Sequence, residues 1–144
     1  MPFKSVTMII PEGKAFSANK VSCRDVRFRT PEYKHWHTLT KQQIIAHENY
    51  PELLILAEDF LRDEGQALEL DINVQYPKEM YFNAKGIISS RTMDCSNVEK
   101  SLQDLILGDI LNLNDKSVIR LLSTKGPGKN YELSFTLRLR GSQQ

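Results

Sequence analysis

The stretch from 91 to 115, RTMDCSNVEKSLQDLILGDILNLND, carries more polar chemistry than a core helix needs. Asp94 stands just before a helical pattern, Lys100 and Asp104 are four residues apart on one helical face, and Asp115 follows the next loop. Carboxylates gathered around one lysine suit phosphodiester hydrolysis. Hard oxygen ligands hold Mg²⁺, with Mn²⁺ as a substitute, and the metal polarises the phosphate and activates water, while an ammonium neutralises charge developing on the phosphate or the leaving group. A plainer arrangement has the same spacing: an acid at a helix dipole, an i,i+4 Lys/Asp pair and a loop aspartate. Taken alone, the spacing favours the plainer one.

The elements that must position these groups are readable from periodicity. Residues 4–10 form a first strand ended by Pro11 and Gly13. Thr30-Pro31 opens a helix with Tyr33, Trp36 and Leu39 as its apolar stripe, and a second helix runs from near Pro51 to Gly65, packing Leu53, Leu54, Leu56, Phe60 and Leu61. From 68 to 76 the alternation is clean, with Leu68, Leu70, Ile72, Val74 and Tyr76 on one side and Glu69, Asp71, Asn73 and Gln75 on the other. Ser96 then caps a third helix, Glu99 completes a capping box, and Val98, Leu102, Leu105 and Ile106 form the buried stripe. Two strands, 117–123 and 131–140, close the chain as a hairpin around Gly126-Pro127-Gly128. The expectation is one α+β domain over residues 1–144, a mixed sheet of about four strands with helices packed on one face.

Composition narrows the function classes. At 144 residues, 40 % hydrophobic and 26 % charged, the chain buries a core without staples and has no apolar run of membrane length. The start, MPFKSVTMII, lacks a cleavage site, and Cys23 and Cys95 are too few for a disulfide framework, so a cytoplasmic protein is expected. The net charge of +1 hides a lopsided distribution: residues 1–41 hold eight Lys/Arg against three acids, and residues 116–144 six against one. Such basic ends either gather on one surface to hold phosphates or remain scattered solvated faces. Arg24, Arg27, Arg29, Lys34 and His35 are the candidates for phosphate contact, which carries no sequence information. His35, His37 and His47 with Cys23 lack the paired spacing of a zinc finger.

Asp94, Asn97 and Lys100, followed without a gap by Asp104 and Asp115, resemble the signature of the RusA family of Holliday junction resolvases. That signature is an aspartate, any residue, a second aspartate, Asn, two residues and Lys, then a helix and paired acids before a strand. The likeness extends to the strand ending at Pro11, the SANK segment with Lys20, the TPEYKHW helix start, the alternating strand and the closing hairpin. It implies a small Mg²⁺-dependent endonuclease of phage or bacterial type that cuts four-way or other branched DNA in recombination and repair, as a homodimer with two symmetric sites. It implies that Asp94 and Asp115 share the metal at about 2.1 Å each, that Lys100 supports the phosphate, and that Asp104, Asn97 and Ser96 assist. Lys20, Arg24, Arg27, Arg29, Lys34 and Arg91 would contact DNA. Two positions depart from the pattern: Ser96 replaces the second aspartate, and Asn114 the first of the paired acids. Asp104 or Glu99 could supply a substitute ligand. The alternative is a weakened or silent member that binds branched DNA or another protein.

Overall fold

The computed structural model describes residues 4–16, 30–63, 65–90, 92 and 95–140, and of Ser96 and Asn97 the backbone alone. Strand β1 (Lys4–Pro11) alternates as its sequence demands, burying Val6, Met8 and Ile10 and exposing Ser5, Thr7 and Ile9. Helix α1 (Pro31–Ile45) starts where the cap-then-proline pattern places it. The Thr30 side chain accepts the Tyr33 N–H at 3.2 Å, and Pro31 takes the first position, where a missing N–H costs nothing. Its buried stripe is Tyr33, Trp36, Thr40 and Ile44; Leu39, expected there, lies one position off the stripe and is exposed. Helix α2 (Tyr50–Arg62) buries Leu53, Leu56 and Ala57, leaving Leu54 and Leu61 exposed, because only positions three and four apart share a face.

Strand β2 (Ala67–Pro77) leads through the one-turn helix α3 (Lys78–Tyr81) to α4 (Cys95–Gln103), which continues as a π-helical stretch, Asp104–Ile110. A 3-10 turn, Asp115–Ser117, then feeds β3 (Val118–Gly128), and β4 (Glu132–Arg140) ends the described chain. The sheet order is β1-β4-β2-β3, with β4 antiparallel to both β1 and β2, and β2 parallel to β3. The expected closing hairpin is therefore corrected: β3 and β4 follow each other in sequence but flank β2 on opposite sides. Gly126-Pro127-Gly128 is the tail of β3, and the chain reverses just after it. Pairing on both edges satisfies the backbone groups of β2, whose core side is apolar along its whole length.

The helices cover one face of this mixed sheet around one core, as the α+β pattern requires. The other face is polar but not wholly wet. Glu69 is only 3 % exposed because Arg120 (3.6 Å) and Arg140 (2.5 Å) close over it, and Arg138 holds Asp71 at 2.5 Å. The outer edge of β1 is guarded by side chains: Asn49 Nδ2 donates to the Thr7 carbonyl at 2.9 Å, and His47 Nε2 lies 3.2 Å from the Ile9 carbonyl. Carbonyls blunted in this way are closed to strand addition.

Lys4 ties β1 to α2 through Asp59, which Arg62 also contacts at 3.3 Å. The hydrogen bond from Lys4 holds the Asp59 carboxyl below its ordinary value of 3.8; burial opposes the shift, and the charges of Lys4 and Arg62 add to it. A group that binds its proton more weakly when folded stabilises the fold above its unfolded value and loses that contribution as pH falls through the folded one. Asp59→Asn is therefore expected to lose stability less steeply than the wild type below about pH 4. Urea midpoints measured from pH 6 downward check this; parallel curves would show that the pair contributes nothing.

Candidate functional site

Helix α4 begins at Cys95, and its stripe of Val98, Leu102, Leu105 and Ile106 is fully buried, as the periodicity predicts. This start places the Ser96 backbone inside the helix. Glu99 reaches β3, where Ser123 Oγ lies 3.0 Å from both Glu99 Oε2 and the Cys95 carbonyl, one hydroxyl proton serving two acceptors. Two residues further along the same side of β3, Lys125 Nζ donates to Thr92 Oγ1 at 2.9 Å. Thr92 is buried, and both its N–H (3.2 Å) and its hydroxyl (2.9 Å) donate to the Ser89 carbonyl. The head of α4 is thus gripped by β3 at two points.

The sequence-predicted residues fall in different places. Lys100 and Asp104 do pair across one turn, at 3.8 Å, with side chains 74 % and 36 % exposed. A helix-surface pair of that kind contributes about 0.3–0.5 kcal/mol and fixes neither partner firmly. Asp115 opens the exposed 3-10 turn, whose cap is Asn114, its side-chain oxygen accepting the Lys116 N–H at 2.9 Å. Asn114, a departure from the family pattern, therefore has a structural role. Asp94 lies outside the described residues, as do Lys20, Arg24, Arg27, Arg29 and Arg91 and the side chains of Asn97 and Ser96. Lys34 is described and exposed, on α1 beside a shallow cleft of about 390 Å³ with Tyr33, His37, Thr38 and Asp109, the last two elements joined by a His37–Asp109 contact.

The two ends of the motif stand apart. Cys95, the residue directly after Asp94 in sequence, sits at Ser123, and Val118 is five residues back along β3, about 16 Å at 3.3 Å per residue. Asp115 lies beyond Val118. The helix gives the same scale: the Leu113 N–H bonds to the Leu107 carbonyl, and Leu107 is twelve residues past Cys95, roughly 18 Å at 1.5 Å per residue. The described residues therefore do not bring Asp115 to the head of α4, and the carboxylate found there is Glu99. Among the described residues no three His, Cys, Asp or Glu side chains come together as a metal site. Two of the three histidines contact other groups, His37 on Asp109 and His47 on the β1 edge.

Among the described residues, the basic side chains of the two ends do not gather on one face. The Arg120, Arg138 and Arg140 guanidiniums pair with Glu69 and Asp71 on the sheet face opposite the helices. The basic amino-terminal arm is rooted on the helix side instead: Ser101 Oγ donates to the Phe16 carbonyl and Trp36 Nε1 to the Lys14 carbonyl, each at 2.6 Å. The Phe16 ring packs on Tyr33 and Trp36 at 5.7 and 5.8 Å, and Thr30 caps α1 beside them. Phe16 and Thr30 thus both lie beside α1, and Phe16 also beside α4.

Sequence reasoning missed Ser123, Lys125 and Thr92. The signal is present: 123 and 125 are polar in phase with Leu121, on the side of β3 where a core residue is expected, but the sequence pattern ends the strand at 123. No protein-family model matches the chain, and no curated protein matches it in sequence. No helix of the described residues is long and apolar enough to cross a membrane. Ser123→Ala removes the donor shared by Cys95 and Glu99 and is expected to lower stability by about 1–3 kcal/mol. A urea titration reads this directly; an unchanged midpoint would mean that the hydroxyl does not hold α4.

Proposed function

We propose that this chain is a Mg²⁺-dependent, structure-specific endonuclease that cuts four-way junctions or other branched DNA during recombination and repair, acting in the cytoplasm as a homodimer of the RusA type. The observation that carries the reading is the bond from Ser101 to Phe16: the helix that bears Ser96, Asn97, Lys100 and Asp104 also holds the root of the basic arm with Lys20, Arg24, Arg27 and Arg29. Phe16, four residues before Lys20 in sequence, is thus held by the helix that carries Lys100. When bound, Mg²⁺ supplies Lewis-acid polarisation of the phosphate and an activated water. In the reaction, water oxygen bonds to phosphorus, one ester P–O bond breaks, and the departing oxygen takes up a proton. Asp94 with Glu99 is the ligand pair this chain can offer at the head of α4, where Mg²⁺ keeps several of its waters. Asp115 stands too far along β3 from Cys95 to join them within one protomer. Lys34 and the arm hold the branch through phosphates.

A synthetic four-way junction and a linear duplex of matching sequence, incubated with Mg²⁺ or Mn²⁺, test the reading. Cleavage of the junction alone is expected, with binding that weakens about 100-fold or more between roughly 50 and 200 mM salt. Binding without cleavage favours the silent branched-DNA binder, for which Ser96 in place of a carboxylate speaks. Mn²⁺ titration is expected to show weaker binding for Asp94→Asn and Glu99→Gln and no change for Asp115→Asn. Ser96→Asp adds a carboxylate in the first turn, where the helix dipole favours it, so folding is preserved while metal affinity and cleavage rise. A folded Ser96→Asp protein with neither gain means the site is built differently.

A further inference from the structure

We propose that the outer edge of β3 pairs with β3 of a second copy of this chain, joining two sheets across a two-fold axis at Leu122. The inference rests on the homodimer part of the reading above and names its interface. β3 is the last strand in the order β1-β4-β2-β3, so alternate N–H and C=O groups along it point away from the sheet. The two edges of the sheet differ. On β1, Asn49 Nδ2 donates to the Thr7 carbonyl and His47 stands at the Ile9 carbonyl. On β3, among the described residues, no group outside β2 bonds to the backbone of residues 119–124. The core cover also thins toward this edge. Val6, Met8 and Ile10 of β1 are buried, whereas Val118 and Leu121 are only half-buried, and Ile119 and Leu122 are 61 % and 44 % exposed.

A free strand edge accepts an extended chain, and the side chains of β3 select their own copy. Leu122 and Thr124 lie on the open sheet face with Asp71 and Asn73, and Arg120 reaches Glu69 on that same face. In an antiparallel pair centred on Leu122, the two Leu122 side chains cover each other, and Arg120 stands opposite Thr124 of the second copy. Thr124 Oγ1 donates to Asn73 Oδ1 at 3.0 Å, so its lone pairs are left to accept from a guanidinium. Arg120, half exposed beside Glu69, has N–H donors to spare, and the two-fold axis makes the same bond twice. Other registers lose this match. A centre at Arg120 sets two guanidiniums against each other, centres at Leu121 or Ser123 set Leu122 against Arg120 or Thr124, and a centre at Thr124 sets it against Gly126. Ile119, the extra residue of a bulge opposite Leu68 and Glu69, and Pro127, which has no N–H, bound the pairing stretch.

The test combines the mass in solution, by size exclusion with light scattering over a concentration series, with cross-linking between single cysteines. The wild type is expected to be a dimer. Leu122→Lys sets two ammoniums against each other across the axis and is expected to weaken self-association about 100-fold or more, with circular dichroism unchanged because the position is open to water. Directly opposed residues have Cβ atoms about 4.5–5.5 Å apart, near the reach of a disulfide, so Leu122→Cys is expected to give a covalent dimer on mild oxidation. Thr124→Cys lies four residues from its own copy in this register, about 13 Å, and is expected to cross-link no more than the wild type, whose Cys23 and Cys95 set the background. Should Leu122→Lys fail to fold, the cysteine pair decides the matter. A dimeric protein in which Leu122→Cys does not cross-link, or in which Thr124→Cys does so instead, overturns the interface and leaves the homodimer reading standing. A wild type that stays monomeric throughout the series overturns both. Cleavage of a four-way junction is scored separately, and its failure beside a cross-linked Leu122→Cys dimer overturns the nuclease reading while the interface holds.

Discussion

The rest of the structure depends on the placement of β2 at the centre of the sheet with a parallel partner on one side. Antiparallel neighbours can be joined by a tight turn, but β3 runs beside β2 in the same direction, so the chain has to travel back along the sheet between them. That return segment is α3, α4 and the π-helical stretch. It is apolar on the sheet side because it covers β2 and β3, and polar on the other because it faces water. The residues that carry chemistry lie on this segment because the parallel pairing requires one.

The same constraint separates the two halves of the motif. A crossover helix starts near the carboxyl end of the strand it leaves and finishes near the amino end of the strand it enters. Cys95 therefore meets β3 high, at Ser123, and Asp115 enters β3 low, before Val118. The buried helix between Cys95 and Asp115 carries Asp115 away from its own head. What comes to the head of α4 is the far end of β3, with Ser123 and Lys125.

Much of the fold was legible. The alternation of residues 68–76, the Thr30-Pro31 start and the Val98, Leu102, Leu105, Ile106 stripe each reflect one local rule with no tertiary rival, and each stands where it was read. The strand order was not legible, because a β3–β4 hairpin and a β4 strand crossing to the far side of β2 satisfy the same alternation. The contact of Glu99 was hidden for a related reason: the Ser123 hydroxyl lies 24 residues away in sequence, and only the fold brings it near. The partnering of Arg120, Arg138 and Arg140 was likewise hidden, since Glu69 and Asp71 lie some fifty to seventy residues away and the apolar side of β2 gave no hint that its acids would be covered.

The orientation of the polar face of α4 is fixed by two grips. Ser123 fixes its head, and Ser101 meets the Phe16 carbonyl midway, while the Leu107 carbonyl takes the Leu113 N–H where the π-helical stretch ends. These anchors do not fit one uniform helix. Leu105, Ile106 and Leu107 are three consecutive residues with no exposure, an arc of about 200° at 100° per residue, wider than the side an α-helix usually lays on a sheet. The π-helical stretch, with its Leu111 N–H reaching back five residues to Ile106, absorbs the mismatch by adding a residue to the turn. Because the widening begins at Asp104, it leaves the turns that carry Ser96, Asn97 and Lys100 in regular α-helix. The Phe16 carbonyl is tied at Ser101, inside that regular part, so the contact between Phe16 and α4 does not depend on what the tail of the helix has to accommodate.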